Sequence, residues 1–182
     1  MATEWDYKTE MNRGTLAGPA MTDPAVARDL VARAPLATLS TFALRPAGFP
    51  YGSLVAIADD ERGRPLLLLS ALAEHAKNLA VNDKASLLVA EPGATDIVAA
   101  PRVTIVGTCT RVGPDDRDAV RARYLARHPE AADWFTDYLH DYALYRLEPV
   151  DLRVIVGFGR LSWVTPDEYA LASAAPSSSP TP

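Results

Sequence analysis

Very little in this sequence is built for covalent stapling, membrane spanning or charge-driven binding. The 182 residues hold one cysteine, Cys109, so no internal disulfide can form and the fold does not depend on an oxidising compartment. No apolar run approaches the roughly 20 residues a membrane-spanning helix needs. The opening MATEWDYKTEMNRGTLAG spreads its charges without an apolar stretch of signal-peptide length. The expectation is a soluble, cytoplasmic protein without a membrane partner. A basic excess is missing too: 18 Lys+Arg against 23 Asp+Glu give a formal net charge of -5, which argues against a nucleic-acid surface. Catalytic signatures are also lacking, with no G-x-S-x-G, no H-E-x-x-H and no paired cysteines. No catalytic residue is assigned and no metal site is expected. Cys109, in the apolar run TIVGTCTRV, reads as a packing residue.

What is present suffices for one core. A chain of this length that is 48% hydrophobic and 23% charged falls within the size of a single domain, about 100 to 200 residues. Residues 1–23 lack apolar periodicity and read as an arm, 24–172 as the folded domain, and 173–182, rich in serine, alanine and proline, as a disordered tail. TDPAVARDLVARA offers Thr22 or Asp23 as an N-cap and Pro24 at the first helical turn, predicting a helix over 24–34. PLATLSTF alternates like a strand, and YGSLVAIADDERGRPLLLLS reads as a hairpin. A short helix AEHAKNLAV follows, then strands KASLLVAEP and PRVTIVGTCTRV, the second with Gly107 where a bulge is expected. Two helices are predicted over GPDDRDAVRARYLARHP and EAADWFTDYL. YALYRLEPV and LRVIVGFGRLSWV supply the last strands. Strands joined by short connections and interrupted by a few helices point to a β-barrel with helical insertions.

The run LLLLSALAEHAKN holds the chemistry. A strand ending at Ser70 and passing quickly into a helix brings a hydroxyl, free backbone N–H groups and Lys77 together. A helix N-terminus carries partial positive charge, so a phosphate is a natural guest. The plainer alternative is that Glu74, His75 and Lys77 form the solvated face of a short amphipathic helix.

The segments ATLST, GFPYGSLV, SALAEHAKNLAVND, PRVTIVG, YLARHPEA and GFGRLSWV occur here in an order and spacing that resembles the pyridoxamine 5'-phosphate oxidase-like FMN-binding split-barrel proteins. Over about residues 24 to 165 the likeness is strongest to the HugZ-type, haem-utilisation branch, without its C-terminal domain. The resemblance implies a mainly β fold with α insertions, a six-stranded split β-barrel, dimerising with itself around an FMN shared between two subunits. It places the flavin phosphate on Ser53, Ser70, Lys77 and Asn78, and lays the flavin ring along Leu54, Val55 and Ala56 through their main chain. It gives His75 a polar contact near the FMN or the dimer interface, and puts Arg102 beside the flavin, where the simpler alternative is a surface arginine at a strand end. Phe158 and Trp163 are the interface candidates. The chain departs from the true oxidases where they carry an arginine and a lysine and it has Ser53 and Ala58. Pyridoxine phosphate binding therefore has little support, and Lys77 is the one clear cation of the local motif.

Three activities stay open. One is an FMN-dependent oxidoreductase acting on a small planar substrate, in which the cofactor carries the chemistry and the protein positions it. A second is haem degradation, for which the branch supplies an iron ligand from a C-terminal histidine that residues 173–182 do not contain. Of the three histidines, His128 reads as a cap or packing residue and His140 as a surface loop residue. The third is a non-enzymatic binding protein, holding a deazaflavin or no flavin, because a fold does not fix a function.

Overall fold

The computed structural model describes residues 21–96, 98–136 and 141–173. In chain order these form helix α1 (Asp23–Arg33), strands β1 (Leu36–Leu44), β2 (Ala47–Asp59) and β3 (Pro65–Ser70), helix α2 (Glu74–Val81), and strands β4 (Lys84–Ala90) and β5 (Arg102–Arg111). Helix α3 (Arg117–Arg127), a 3-10 segment (Pro129–Thr136), strands β6 (Tyr142–Gly157) and β7 (Arg160–Val164), and helix α4 (Pro166–Leu171) complete them. No described helix is long and apolar enough to cross a membrane.

Every strand pairing is antiparallel, and β1-β2-β3-β6-β5-β4 close on themselves as a ring of six. The chain is thus mainly β with helical insertions, with the six-stranded split-barrel architecture expected from its sequence. Strand β6 makes closure feasible by its length of 16 residues. Its first part, Tyr142 to Arg146, pairs with β3, while Leu152 to Gly157 pairs with β7 on the same edge. The expected break between YALYRLEPV and LRVIVG is absent. Pro149 instead sits opposite Gly107 at a bulge that skips Val150, where a residue without an N–H is tolerated.

Burial follows the strand period. In β1, Ala37, Leu39, Thr41 and Ala43 face the core while the residues between them face outward. Strand β3 is buried on both faces, which explains its unbroken leucines. Leu67 and Leu69 enter the main core, and Leu66 and Leu68 join a second cluster under α3 with Val120 and Tyr124. Helix α1 caps the ring. It buries Ala27, Leu30 and Val31 and touches β2 and β5, which lie on opposite sides of the ring.

Three local differences from the sequence reading have physical causes. Asp23, placed at the end of the arm, opens α1 and accepts hydrogen bonds from Arg160 Nε (2.7 Å) and Ser162 Oγ (2.6 Å), tying the domain's two ends together. The segment after Pro129 forms a 3-10 turn rather than an α-helix, up to the last described residue before 137–140. Helix α4 was not anticipated. It is set by a capping box in which Thr165 and Glu168 satisfy each other's backbone N–H groups, and it buries Tyr169, whose hydroxyl donates to Gly63 O at 2.6 Å. The disordered-tail expectation for 173–182 falls almost wholly outside the described residues.

The bulge generates a test. A Cβ built on Gly107 would lie 2.1 Å from Glu148 O, a backbone atom that cannot swing aside, whereas one built on Gly113 meets nothing within 4 Å. Overpacking of this kind costs about 1–3 kcal/mol. For a domain of this size that lowers the melting temperature by roughly 3 to 10 °C. Gly107→Ala is expected to show this loss by thermal denaturation and Gly113→Ala to melt within about a degree of wild type. Equal melting of the two variants would refute the close-approach role of Gly107.

Candidate functional site

The junction between β3 and α2 is built as a tight corner. Ser70 Oγ accepts the N–H of Leu72 (3.2 Å), and Ala73 occupies the N-cap of α2 with no side-chain cap for the first-turn N–H groups. The helix turns Ala76, Asn78 and Leu79 inward. Asn78 is 1% exposed, and both ends of its amide are used within the fold. Nδ2 donates to Thr41 Oγ1, and Oδ1 accepts from the Leu44 N–H, each at 3.0 Å. Lys77 points the other way and donates to Glu74 Oε1 at 2.8 Å. This is an exposed pair of the kind that contributes little to stability. His75 is half-buried, and burial lowers its pKa from the ordinary histidine value, so the neutral ring is favoured at pH 7.

On β2 the expected flavin-ring residues divide by strand period. Ser53 lies opposite Leu39 and Val55 opposite Ala37 on the core-facing side, while Leu54 and Ala56 face outward. Arg102, at the start of β5, donates from Nη1 to the carbonyls of Val98 (3.1 Å) and Ala100 (3.2 Å), bracing the loop before it. The nine expected residues therefore fall into three groups: Ser70, His75, Lys77 and Asn78 around α2, Ser53 to Ala56 on β2, and Arg102 on β5.

The sequence reading missed the groove that lies on the outer face of the sheet. Register aligns Leu54, Thr38, Leu88, Thr104, Arg153 and Trp163 in one row across β2, β1, β4, β5, β6 and β7, and paired residues share a face. Arg153 stacks over the Trp163 ring at 5.4 Å. Leu54, Leu161 and Trp163 are each at least half exposed. Beside this row is a groove of ≈ 480 Å³ walled by Phe42, Pro50, Val106 and Val150, with Ser40, Ser86 and Thr108 as hydroxyls and Lys84 as its one charged residue. The bulge at Gly107 leaves Val150 unpaired and places it in that wall. Asn78 stands behind the groove, holding Thr41, which lines it. A signal for this face was present in β1, whose outward positions include Leu36, Phe42 and Leu44. A strand apolar on both faces expects cover on both.

Other chemistry-bearing groups are spent on structure. His128 is 7% exposed; its Nε2 donates to Ile57 O at 2.7 Å and its Nδ1 lies 3.1 Å from Glu130 Oε1, as a packing residue should. Burial in the core pushes the Cys109 thiol up to about 12, so it is no nucleophile at neutral pH. Among the described residues no three His, Cys, Asp or Glu side chains gather to hold a metal ion. His140 lies outside the described residues.

Comparison with known proteins places this geometry. The sequence model of the family described as CREG, beta-barrel matches residues 19–171. The chloroplastic haem oxygenase HOZ of Arabidopsis thaliana is 40% identical over 119 residues, which cover 65% of this chain and 36% of that protein. The chain thus spans little more than a third of this relative's length. A haem-binding protein from Mycobacterium smegmatis superposes with a TM-score of 0.76 at 31% identity, covering 87% of this chain and 63% of that one. The haem storage protein HutZ from Vibrio cholerae does so with a TM-score of 0.57 at 27% identity, covering 67% and 86%. A pyridoxinephosphate oxidase-family protein from Clostridium acetobutylicum, at 14% identity and a TM-score of 0.62 over 82% of this chain and 99% of that one, shares the fold.

The wall behind the groove can be tested directly. Asn78→Ala removes both bonds and strands the Leu44 N–H and the Thr41 hydroxyl, and a buried unsatisfied group costs about 1–3 kcal/mol. Denaturant unfolding is expected to show a loss of about 2–6 kcal/mol, using the same unit cost for the two groups. A loss below about 0.5 kcal/mol, the range of ordinary surface substitutions, would remove Asn78 from this bracing role.

Proposed function

We propose that this chain, which belongs to the CREG β-barrel family, binds haem as substrate or cargo on a surface shared by two copies of itself. The observation that carries the reading is the groove of ≈ 480 Å³ with its apolar walls, continuous with the exposed row that ends at Trp163. A flat ligand with a large apolar face is held best by apolar walls and a few fixed polar groups. Relatives support the choice. HOZ, the mycobacterial protein and HutZ, at 27% to 40% identity, are each named for haem, whereas the flavin-related likeness at 14% speaks for the fold alone.

The groove lining contributes no imidazole, thiolate or thioether to iron, so the groove fits the apolar face and acidic edge of a haem rather than its metal. His128 has both ring nitrogens engaged. His75 lies on α2, outside the groove lining. Haem bound here supplies the redox chemistry of the iron. The chain itself contributes apolar cover, orientation and exclusion of water.

A second reading keeps FMN, and an oxidoreductase acting on a small planar substrate, because α2 begins without a side-chain cap one short turn after Ser70. Uncapped helix N-termini favour phosphate. Lys77 would have to leave Glu74 to reach it, and Asn78 could offer only what its two internal bonds leave free. In this reading Leu54 and Ala56 meet the flavin ring from the outer face and Arg102 stands near its edge.

Titration decides between them. Haemin added to the purified protein is expected to give a saturable, shifted Soret band, with binding retained in Lys77→Ala. Flavin absorption in the protein as purified, FMN binding that Lys77→Ala weakens about 10-fold, the size expected of a hydrogen bond to a charged group, and no Soret shift would replace haem by FMN.

Dimerisation is a separate expectation. The outer face leaves Leu54, Leu161 and Trp163 largely exposed, as well as Phe158, and an isologous twofold is the commonest way to cover such a patch. Sedimentation at micromolar concentration should give twice 19.6 kDa. Trp163→Glu, which puts a charge into the patch, should shift the protein toward monomer. A wild-type monomer would sink this part of the reading.

A further inference from the structure

We infer that Lys84 is the charged anchor of the outer-face groove, so that the groove selects a flat apolar ligand carrying an acidic edge. The inference rests on the ligand reading above and gives it a residue that neither the sequence motif nor the relatives' names assign. Lys84 opens β4, where the Asn82 Oδ1 accepts its backbone N–H at 3.1 Å and fixes the entry of the strand. Across the sheet it faces Thr108, and two residues on, Ser86 faces both Ser40 and Val106. Lys84, Ser86, Ser40 and Thr108 thus set polar groups along the outer side of a groove whose other lining residues, Thr41 apart, are apolar. No acid among the described residues pairs with the Lys84 ammonium, in contrast to Lys77, which Glu74 neutralises.

An ammonium beside apolar walls is placed to take a carboxylate or a phosphate, because the walls exclude water from one side of the pair and strengthen it. Two ligands share that chemistry: a tetrapyrrole with propionate side chains and a flavin with a 5'-phosphate. The experiment separates them by pairing each acid with its neutral counterpart. Haemin and haem dimethyl ester, and FMN and riboflavin, are titrated against wild type, Lys84→Ala and Lys84→Arg, following absorbance for the haems and fluorescence for the flavins. Loss of a hydrogen bond to a charged group corresponds to about a 10-fold weakening for a partly solvated site.

Lys84→Ala is expected to weaken the acidic ligand that binds by about that factor, to leave its neutral counterpart unchanged, and to be rescued by Lys84→Arg. Unchanged binding of the neutral counterpart also shows that the variant is folded. Equal losses for acid and neutral ligand, or no loss for either, would overturn the anchor while leaving the ligand reading intact. A wild type that binds none of the four would overturn that reading and the anchor with it.

Discussion

The pairing of β3 with β6 is the contact on which the rest of the structure depends. It is short, running from Leu66 opposite Arg146 to Ser70 opposite Tyr142, yet it converts an open sheet into a ring. Each strand edge within the ring is then satisfied, and the apolar interior gains a wall it would otherwise lack. The energy behind it comes from the leucines. Leu66, Leu67, Leu68 and Leu69 are all buried, and a fully buried leucine contributes about 1.5–3 kcal/mol. Because two of them face the core and two face α3, β3 cannot slip by one residue without exchanging its two covers. The ring also fixes where β6 goes next, and so places the bulge, Val150 and the wall of the groove.

Much of this was legible in the residues. The alternation of LATLSTFAL, the hairpin around DDERG and the short helix EHAKNLAV are read from period and turn chemistry, and the structure places them within a few residues of expectation. Three features were harder for physical reasons. Pro149 reads as a strand break until its partner Gly107 is known, since only the bulge removes the need for its N–H. The Thr165 to Glu168 capping box is visible as T-P-D-E, but six residues of helix are too few for a periodic pattern to confirm it. Pro129 marks a break correctly, while the pattern after it cannot distinguish one 3-10 stretch from an α-helix.

The site was less legible than the fold because side chains do not announce which neighbour will use them. Asn78 offers a donor and an acceptor to any ligand in the sequence, and in three dimensions it offers both to β1. Lys77 reads as a free cation and meets Glu74 one turn away. The reverse holds for Lys84, which nothing in KASLLVA singles out and which stands at a groove. Alternation assigns one face of β1 to the core but is silent on what meets the other. The outward Leu36, Phe42 and Leu44 carry that information only once β4 and β5 are seen to continue the same face.

A net charge of -5 opposes an anionic ligand only at long range, and the geometry shows why. At physiological ionic strength charges separated by more than about 8 Å are largely screened, so a ligand on the outer face responds to the groups beside it rather than to the sum over the chain. Several acids are drawn elsewhere, Asp60 to Arg64, Glu91 to Arg33, Asp116 to Arg146 and Asp23 to Arg160. The two that register places opposite groove residues are engaged, Glu148 by Arg64 and Asp151 by the Leu152 N–H. Lys84, Arg102 and Arg153 stay on the strands that form the outer face, where Arg153 is stacked on Trp163 instead of paired with a carboxylate. A chain of net negative charge with a lysine beside an apolar groove discriminates by position. It repels bulk polyanions such as nucleic acid, which need an extended basic patch. It leaves a small amphipathic acid free to bury its carbon and keep its charge at the rim.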